Sequence, residues 1–167
     1  SDPSASLDFM MEGQTSPVEL VTRRYPMIAI FKPYNTCAQI CVYCQRNWEV
    51  EGVLSEDAMA PAEKIDAAIR WFEGHPAVTE VLITGGDPAM LPNTQLRSLL
   101  ARLAGVPHIK RLRLGTRVPV VLPMRIEAGF LDSISEVHDS PVKEFALVTH
   151  FEHPYEITPE AAAAVRS

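Results

Sequence analysis

Strand-like and helix-like segments alternate along this 167-residue chain, which predicts an α/β fold built on parallel strands. Three observations carry that expectation. Compact apolar runs recur, each followed by a stretch of helical periodicity. The helical stretches carry their own start and stop residues. Chemistry-bearing side chains fall just after the apolar runs, where α/β sheets and barrels place their sites. The units counted this way number four, too few to close a barrel. The chain is therefore expected to be half of a barrel or to continue in a parent protein, and its ending in mid-helix favours truncation.

Residues 1–20 are rich in Pro, Ser, Asp and Gly, with little periodicity, and read as an extended or partly ordered lead-in. Residues 21–167 form the core domain. The first strand is the apolar run 27–31, and a cysteine loop follows it directly. Residues 55–74 carry a helix in which Ile65, Ala68, Ile69 and Phe72 share one face. Pro61 suits its first turn and Gly74 its stop. The second strand, 78–84, runs into the loop Gly85-Gly86-Asp87-Pro88. Leu96, Leu99, Leu100 and Leu103 then repeat at helical spacing, with Gly105 beyond them. The third strand, 109–115, sets Ile109, Leu112 and Leu114 against Lys110, Arg111 and Arg113 and leads into Gly115-Thr116-Arg117. A short helix near 126–137 precedes the fourth strand, 144–149, and the loop 150–155. Thr158-Pro159-Glu160 opens a last helix as N-cap plus proline.

Composition narrows the class. The apolar fraction of 47% is that of a globular protein. No run of about 18 apolar residues offers a membrane span. The polar start lacks the charged and apolar regions of a signal peptide, so a cytoplasmic location is expected. The net charge is −6, and no basic stripe with interleaved aromatics suggests nucleic acid. The cluster Lys110, Arg111 and Arg113 reads as a solvated strand end.

Every cysteine in the chain falls in one CxxxCxxC loop, at Cys37, Cys41 and Cys44. Packed free cysteines would be scattered. Zinc would want four ligands, or three plus water, at Cys and His, yet all five histidines lie at position 75 or later. An odd count without a secretory signal disfavours disulfides. Three thiolates instead suit a [4Fe–4S] cluster with one iron left without a protein ligand, since an ordinary cluster takes four cysteines.

Together these loops resemble the lysine 2,3-aminomutase (KamA-type) family of the radical SAM superfamily. The likeness runs from about residue 17 to 160. It is carried by Arg24-Tyr25-Pro26, by the cysteine loop with Arg46 after it, and by Leu82-Ile83-Thr84-Gly85-Gly86-Asp87. Arg113-Leu114-Gly115-Thr116-Arg117-Val118-Pro119-Val120-Val121-Leu122-Pro123 and Thr149-His150-Phe151-Glu152-His153-Pro154-Tyr155-Glu156-Ile157-Thr158 complete it. CxxxCxxC alone points to the superfamily; the last two segments point to the aminomutase branch.

The resemblance implies a partial (β/α) barrel in which Cys37, Cys41 and Cys44 hold a [4Fe–4S] cluster. Tyr43, Gly85, Gly86, Asp87, Thr116, Arg117 and His150 would bind S-adenosylmethionine (SAM). Arg24 and Tyr25 match residues that contact the phosphate of pyridoxal 5′-phosphate (PLP), and Arg46 matches one that receives a substrate carboxylate. The implied enzyme is an aminomutase-type isomerase. It cleaves SAM to a 5′-deoxyadenosyl radical and moves an amino group between adjacent carbons of an amino acid held on PLP. An electron donor such as flavodoxin or ferredoxin is implied, and a homo-oligomer is compatible. No residue is singled out as catalytic. Departures from the family pattern are the apolar Ile28 where a second phosphate arginine is expected, the shortened Arg46-Asn47-Trp48-Glu49, and Glu152 in place of an asparagine. None of Lys32, Lys64, Lys110 and Lys143 lies in a stretch resembling the PLP-lysine motif. Two alternatives follow: a radical SAM enzyme of this family without PLP or with another substrate, and an iron–sulfur electron-transfer or metal-binding module.

Overall fold

The computed structural model describes residues 6–50, 52–141 and 143–167. Five strands form one sheet in the order β1-β2-β3-β4-β5. They are β1 (Val21–Thr22), β2 (Ile28–Tyr34), β3 (Glu80–Gly85), β4 (Arg111–Gly115) and β5 (Glu144–Val148). The last four are parallel, as the alternation of strands and helices predicts. β1 pairs antiparallel with β2 through Val21↔Phe31 and Thr22↔Ile30. A two-residue strand carries no periodicity, so β1 has no signal of its own.

Helices α1 (Ala62–Glu73), α2 (Asn93–Ala104), the single turn α3 (Val118–Val121), α4 (Ala128–His138) and α5 (Pro159–Arg166) fall in the connections or follow the last strand. The predicted helix over 55–74 is shorter in the structure. Pro61 is extended at the N-cap of α1, with φ −53° and ψ 145°, rather than inside its first turn. The residues before it pair with the end of β2 instead, through the Tyr34↔Met59 bridge and Ala60 N–H donating to the Pro33 carbonyl at 2.9 Å. The last helix begins as its sequence says: the Thr158 hydroxyl accepts from Ala161 N–H at 3.1 Å.

Alternation within each strand sends one set of side chains into the core. Ala29, Phe31, Val81, Ile83, Leu112 and Leu114 are at most 1 % exposed. They belong to one core with Ile65, Ile69 and Phe72 of α1 and Leu96, Leu99, Leu100 and Leu103 of α2. Each large side chain buried this way is worth about 1.5–3 kcal/mol. The other set carries charge. Glu80, Arg111 and Glu144 stand opposite one another across β3, β4 and β5. Arg111 bridges to both, at 3.1 Å to Glu80 and 2.5 Å to Glu144, and Arg113 joins Glu80 at 2.5 Å. Arg111 and Arg113 thus form a cross-strand ion ladder rather than a merely solvated end, while Lys110 stays exposed, its amine on the Pro107 carbonyl.

The lead-in, whose first five residues lie outside the described ones, is not simply extended. It makes a 3₁₀ turn over Glu12–Thr15, and Glu12 is buried. No helix among the described residues is long and apolar enough to cross a membrane.

Candidate functional site

Parallel strands bring all their C-terminal ends to one edge of the sheet, and the loops leaving β2, β3, β4 and β5 meet there. Between them lies a cleft of about 570 Å³. Cys37, Cys41, Cys44, Tyr43, Arg46, Gly85, Gly86, Asp87, Thr116, Arg117 and His150 all line it. Leu82, Thr84 and Val148 of the strands line it as well.

The three cysteines are partly exposed and unbridged. Burial pushes the Cys37 thiol up to about 12, with the charges of Asp87, Cys44 and Cys41 adding to it. Metal coordination offsets that cost of ionisation. Among the described residues no three His, Cys, Asp or Glu side chains converge on a single ion. In an iron–sulfur cluster each cysteine sulfur takes its own iron, so a single-ion site is not what it requires. Three thiols around one cleft, with no fourth cysteine among the described residues, fit such a cluster with one iron left for an exogenous ligand.

The glycine loop is fixed by backbone approach. Gly86 N–H donates to Tyr34 O and Asp87 N–H to Thr36 O, both at 2.8 Å, so the exits of β2 and β3 stay paired past the strands. A Cβ on Gly86 would lie 2.3 Å from Thr36 O, and Gly85 has φ 114°, open to glycine at little cost. Asp87 is 6 % exposed, with both carboxylate oxygens engaged. One accepts from Ala89 N–H at 3.1 Å and the other from Arg117 N–H at 2.8 Å. The Thr116 hydroxyl also donates to it, and that hydroxyl accepts from Val118 N–H at 2.9 Å. Burial raises the Asp87 carboxyl above its ordinary value against these donors. Asp87 thereby ties the β3 loop to the β4 loop.

Arg117 ties the β4 loop to the others. Its Nη1 donates to Cys41 Sγ at 3.2 Å, its Nε to the His150 carbonyl at 3.1 Å and its Nη2 to Glu156 at 2.7 Å. Burial works to lower its pKa, but the bonds to Cys41 and Glu156 outweigh that and hold the guanidinium charged. Its guanidinium carbon lies 5.8 Å from the Tyr43 ring centre, and Tyr43 meets the His150 ring edge-on at 5.7 Å. Burial, together with the hydrogen bond to Cys41, raises the Tyr43 phenol above its usual range. His150 is exposed rather than a core histidine, and its Nδ1 lies 2.9 Å from Glu152.

Arg46 has its Nε and Nη2 on Glu12 at 3.1 and 2.6 Å. Arg24 and Tyr25 do not line the cleft. They sit exposed between β1 and β2, at the N-terminal end of the parallel strands and so at the far end from the cysteines. No lysine lines the cleft either. Lys32 is held by Glu12 and Glu49, Lys64 by Glu19, Lys110 by the Pro107 carbonyl, and Lys143 by the Val106 and Ile109 carbonyls. Among the described residues, the cleft therefore offers PLP no lysine amine. Glu12 and Glu156 are the partners that sequence reasoning passed over. Glu156 had a signal in its place within a strand-end loop, whereas Glu12 had none.

A model of the radical SAM superfamily matches residues 31–161. The chain is 47% identical over 165 residues to an uncharacterized KamA family protein of Methanocaldococcus jannaschii, covering 99% of this chain and 26% of that protein. It is 37% identical over 158 residues to the L-lysine 2,3-aminomutase of Fusobacterium nucleatum, covering 95% and 35%. Against the glutamate 2,3-aminomutase of Clostridioides difficile the identity is 34% over 163 residues, covering 98% and 37%. The chain thus spans between about a quarter and somewhat over a third of the length of these curated relatives. The family resemblance read from the loops is borne out.

Proposed function

Because the chain belongs to the radical SAM superfamily, we propose that it forms the radical-initiating part of an aminomutase-like isomerase. The observation that supports this most directly is the shared cleft. All three cysteines open into it beside the loops that leave β3, β4 and β5. Cys37, Cys41 and Cys44 would hold a [4Fe–4S] cluster, and Tyr43, Gly85, Gly86, Asp87, Thr116, Arg117 and His150 would form the SAM pocket. A cluster held there would supply one-electron reduction of SAM, while the protein supplies binding and orientation. The chain's own residues hold the geometry. Asp87 and Arg117 lock all four loops together, Tyr43 and His150 offer ring faces, and Arg117 places a donor on Cys41. The strand side chains Leu82 and Val148 give the cleft an apolar wall that helps keep water from a reactive intermediate.

A small amino acid is the proposed substrate, by likeness to the lysine and glutamate aminomutases. One observation favours a second reading, a radical SAM enzyme without PLP or with another substrate: no lysine among the described residues reaches the cleft.

The test uses the full-length protein, reconstituted anaerobically with iron and sulfide and reduced. A [4Fe–4S]⁺ EPR signal that changes on adding SAM is the expected result, and Cys41→Ala abolishes both cluster and SAM cleavage. SAM cleavage retained by Cys41→Ala sinks the assignment. A cluster indifferent to SAM favours an electron-transfer module. Imine absorbance on adding PLP separates the two enzyme readings.

A further inference from the structure

Glu12 lies outside every motif of the chain, in a polar lead-in, yet it is 4 % exposed. A buried carboxylate is costly unless its partners are close and well placed. Here they are. Arg46 donates from Nε at 3.1 Å and Nη2 at 2.6 Å, a fork-to-fork pair, and Lys32 Nζ is 3.4 Å away. Lys32 also holds Glu49 at 2.8 Å. Two cations and two anions thus neutralise one another in a partly buried group, with Glu12 at its buried centre, drawn from three segments: the lead-in, β2 and the stretch after the cysteines.

The lead-in is shaped to deliver this carboxylate. Asp8 accepts from the N–H groups of Glu12 and Gly13, at 2.8 and 2.9 Å. Ser16 donates its hydroxyl to the Glu12 carbonyl at 2.8 Å. Met11, just before Glu12, takes the left-handed conformation, φ 54° and ψ 40°, which non-glycine residues adopt only at a cost.

On the other side of the pair, residues 38–50 contain neither helix nor strand. Their own backbone offers only turns, such as Cys44 N–H to Cys41 O at 3.0 Å and Glu49 N–H to Arg46 O at 2.9 Å. Arg46 comes two residues after Cys44, and Glu49 three after that. The ion group therefore fastens the limb just after Cys44 to the sheet, while the Cys37↔Val53 bridge and the Thr36 hydroxyl on Gly52 and Ser55 fasten the chain beyond it.

We propose that Glu12 is a positioning residue for the cysteine loop, acting through Arg46 and Lys32 to hold the limb that carries Cys44. The proposal rests on the cluster reading given above. Direct partners of metal ligands, whose loss costs about 10- to 100-fold in metal affinity, set the upper scale, and Glu12, acting through Arg46, belongs at its lower end.

The experiment uses the full-length protein loaded anaerobically with ferrous iron and sulfide. Wild type, Glu12→Gln, Glu12→Asp, Arg46→Gln and the double variant Glu12→Gln/Arg46→Gln are compared. The readouts are iron retained per folded chain against a chelator, the EPR signal with and without SAM, and near-UV circular dichroism of the apoprotein. Glu12→Gln is expected to fold but to lose iron about 10-fold more readily. Glu12→Asp is expected to recover part of the loss, and the double variant to be no worse than either single one, because both remove the same pair. Wild-type retention in a folded Glu12→Gln overturns the proposal, as do additive losses in the double variant. Should Glu12→Gln fail to fold, Glu12→Asp decides: folded with wild-type retention, it overturns the proposal; folded with weakened retention, it supports it. A wild type that takes up no cluster overturns both this proposal and the cluster reading. Wild-type loading with intact retention in the variants overturns only the positioning role.

Discussion

Gly86 shows how much of the site depends on a missing side chain. An added Cβ would stand 2.3 and 2.5 Å from the oxygen and nitrogen of Thr36, which are backbone atoms with no rotamer to yield. Gly86→Ala must therefore push the β3 exit away from the β2 exit and weaken the 2.8 Å bonds at Tyr34 O and Thr36 O. The expected loss is about 3 kcal/mol of apoprotein stability, the upper part of the range for overpacking. Chemical denaturation measures it, and a wild-type midpoint would show that the two exits can separate freely. The role of this glycine was half legible in the sequence. A Gly-Gly-Asp after a strand signals close approach, but not that the approaching partner is the chain's own Thr36. Asp87 and Arg117 were legible as residue types at strand ends. Their partners were not, because a hydrogen bond between residues 30 or 39 positions apart leaves no local pattern.

Secondary structure was legible to the degree that it is periodic. The apolar faces of α1 and α2 are the ones their spacing announced, and all four parallel strands stand where apolar runs marked them. Boundaries shifted where tertiary pairing competes with propensity, as in residues 58–60, which join the end of β2 rather than α1. The helix with the most informative start is α4. Its N-cap is Glu127, whose carboxylate accepts from the N–H groups of Gly129 and Phe130 at 3.0 and 3.1 Å. Those donors, the Gly129 N–H first and the Asn93 amide next, hold this carboxyl below its ordinary 4.5. A carboxylate with a depressed folded pKa stabilises the fold above its unfolded pKa, and the contribution is lost as pH falls through the folded value. Glu127→Gln should thus lower Tm at neutral pH. The gap between variant and wild type should close as the pH drops below 4.5. A gap that stays constant with pH would mean that the carboxylate charge contributes nothing to this cap.

At the scale of the molecule, the two edges of the sheet are treated differently. Among the described residues, β1 covers β2 on one side, whereas β5 pairs with β4 alone. Beside β5 lies an apolar groove of about 440 Å³, lined among others by Ile126, Ile134, Leu147 and Val165. An open strand next to an apolar groove is a template for another chain. The net charge of −6 opposes association at long range, but it is screened beyond about 8 Å at physiological ionic strength. Contact at the edge is then governed by the edge itself. Among β5 residues, Ala146 is exposed on the face away from the helices, so a longer polar side chain there has room. The 167-residue chain should associate as its concentration rises, with the sedimentation coefficient climbing accordingly. Ala146→Lys should shift that rise to higher concentration, since charge on an edge strand disfavours edge-to-edge pairing. A wild type whose sedimentation does not depend on concentration would show that the β5 edge is protected by its own twist and by the ion ladder of Glu80, Arg111 and Glu144. A wild type that associates but ignores Ala146→Lys would move the contact from the strand edge to the groove.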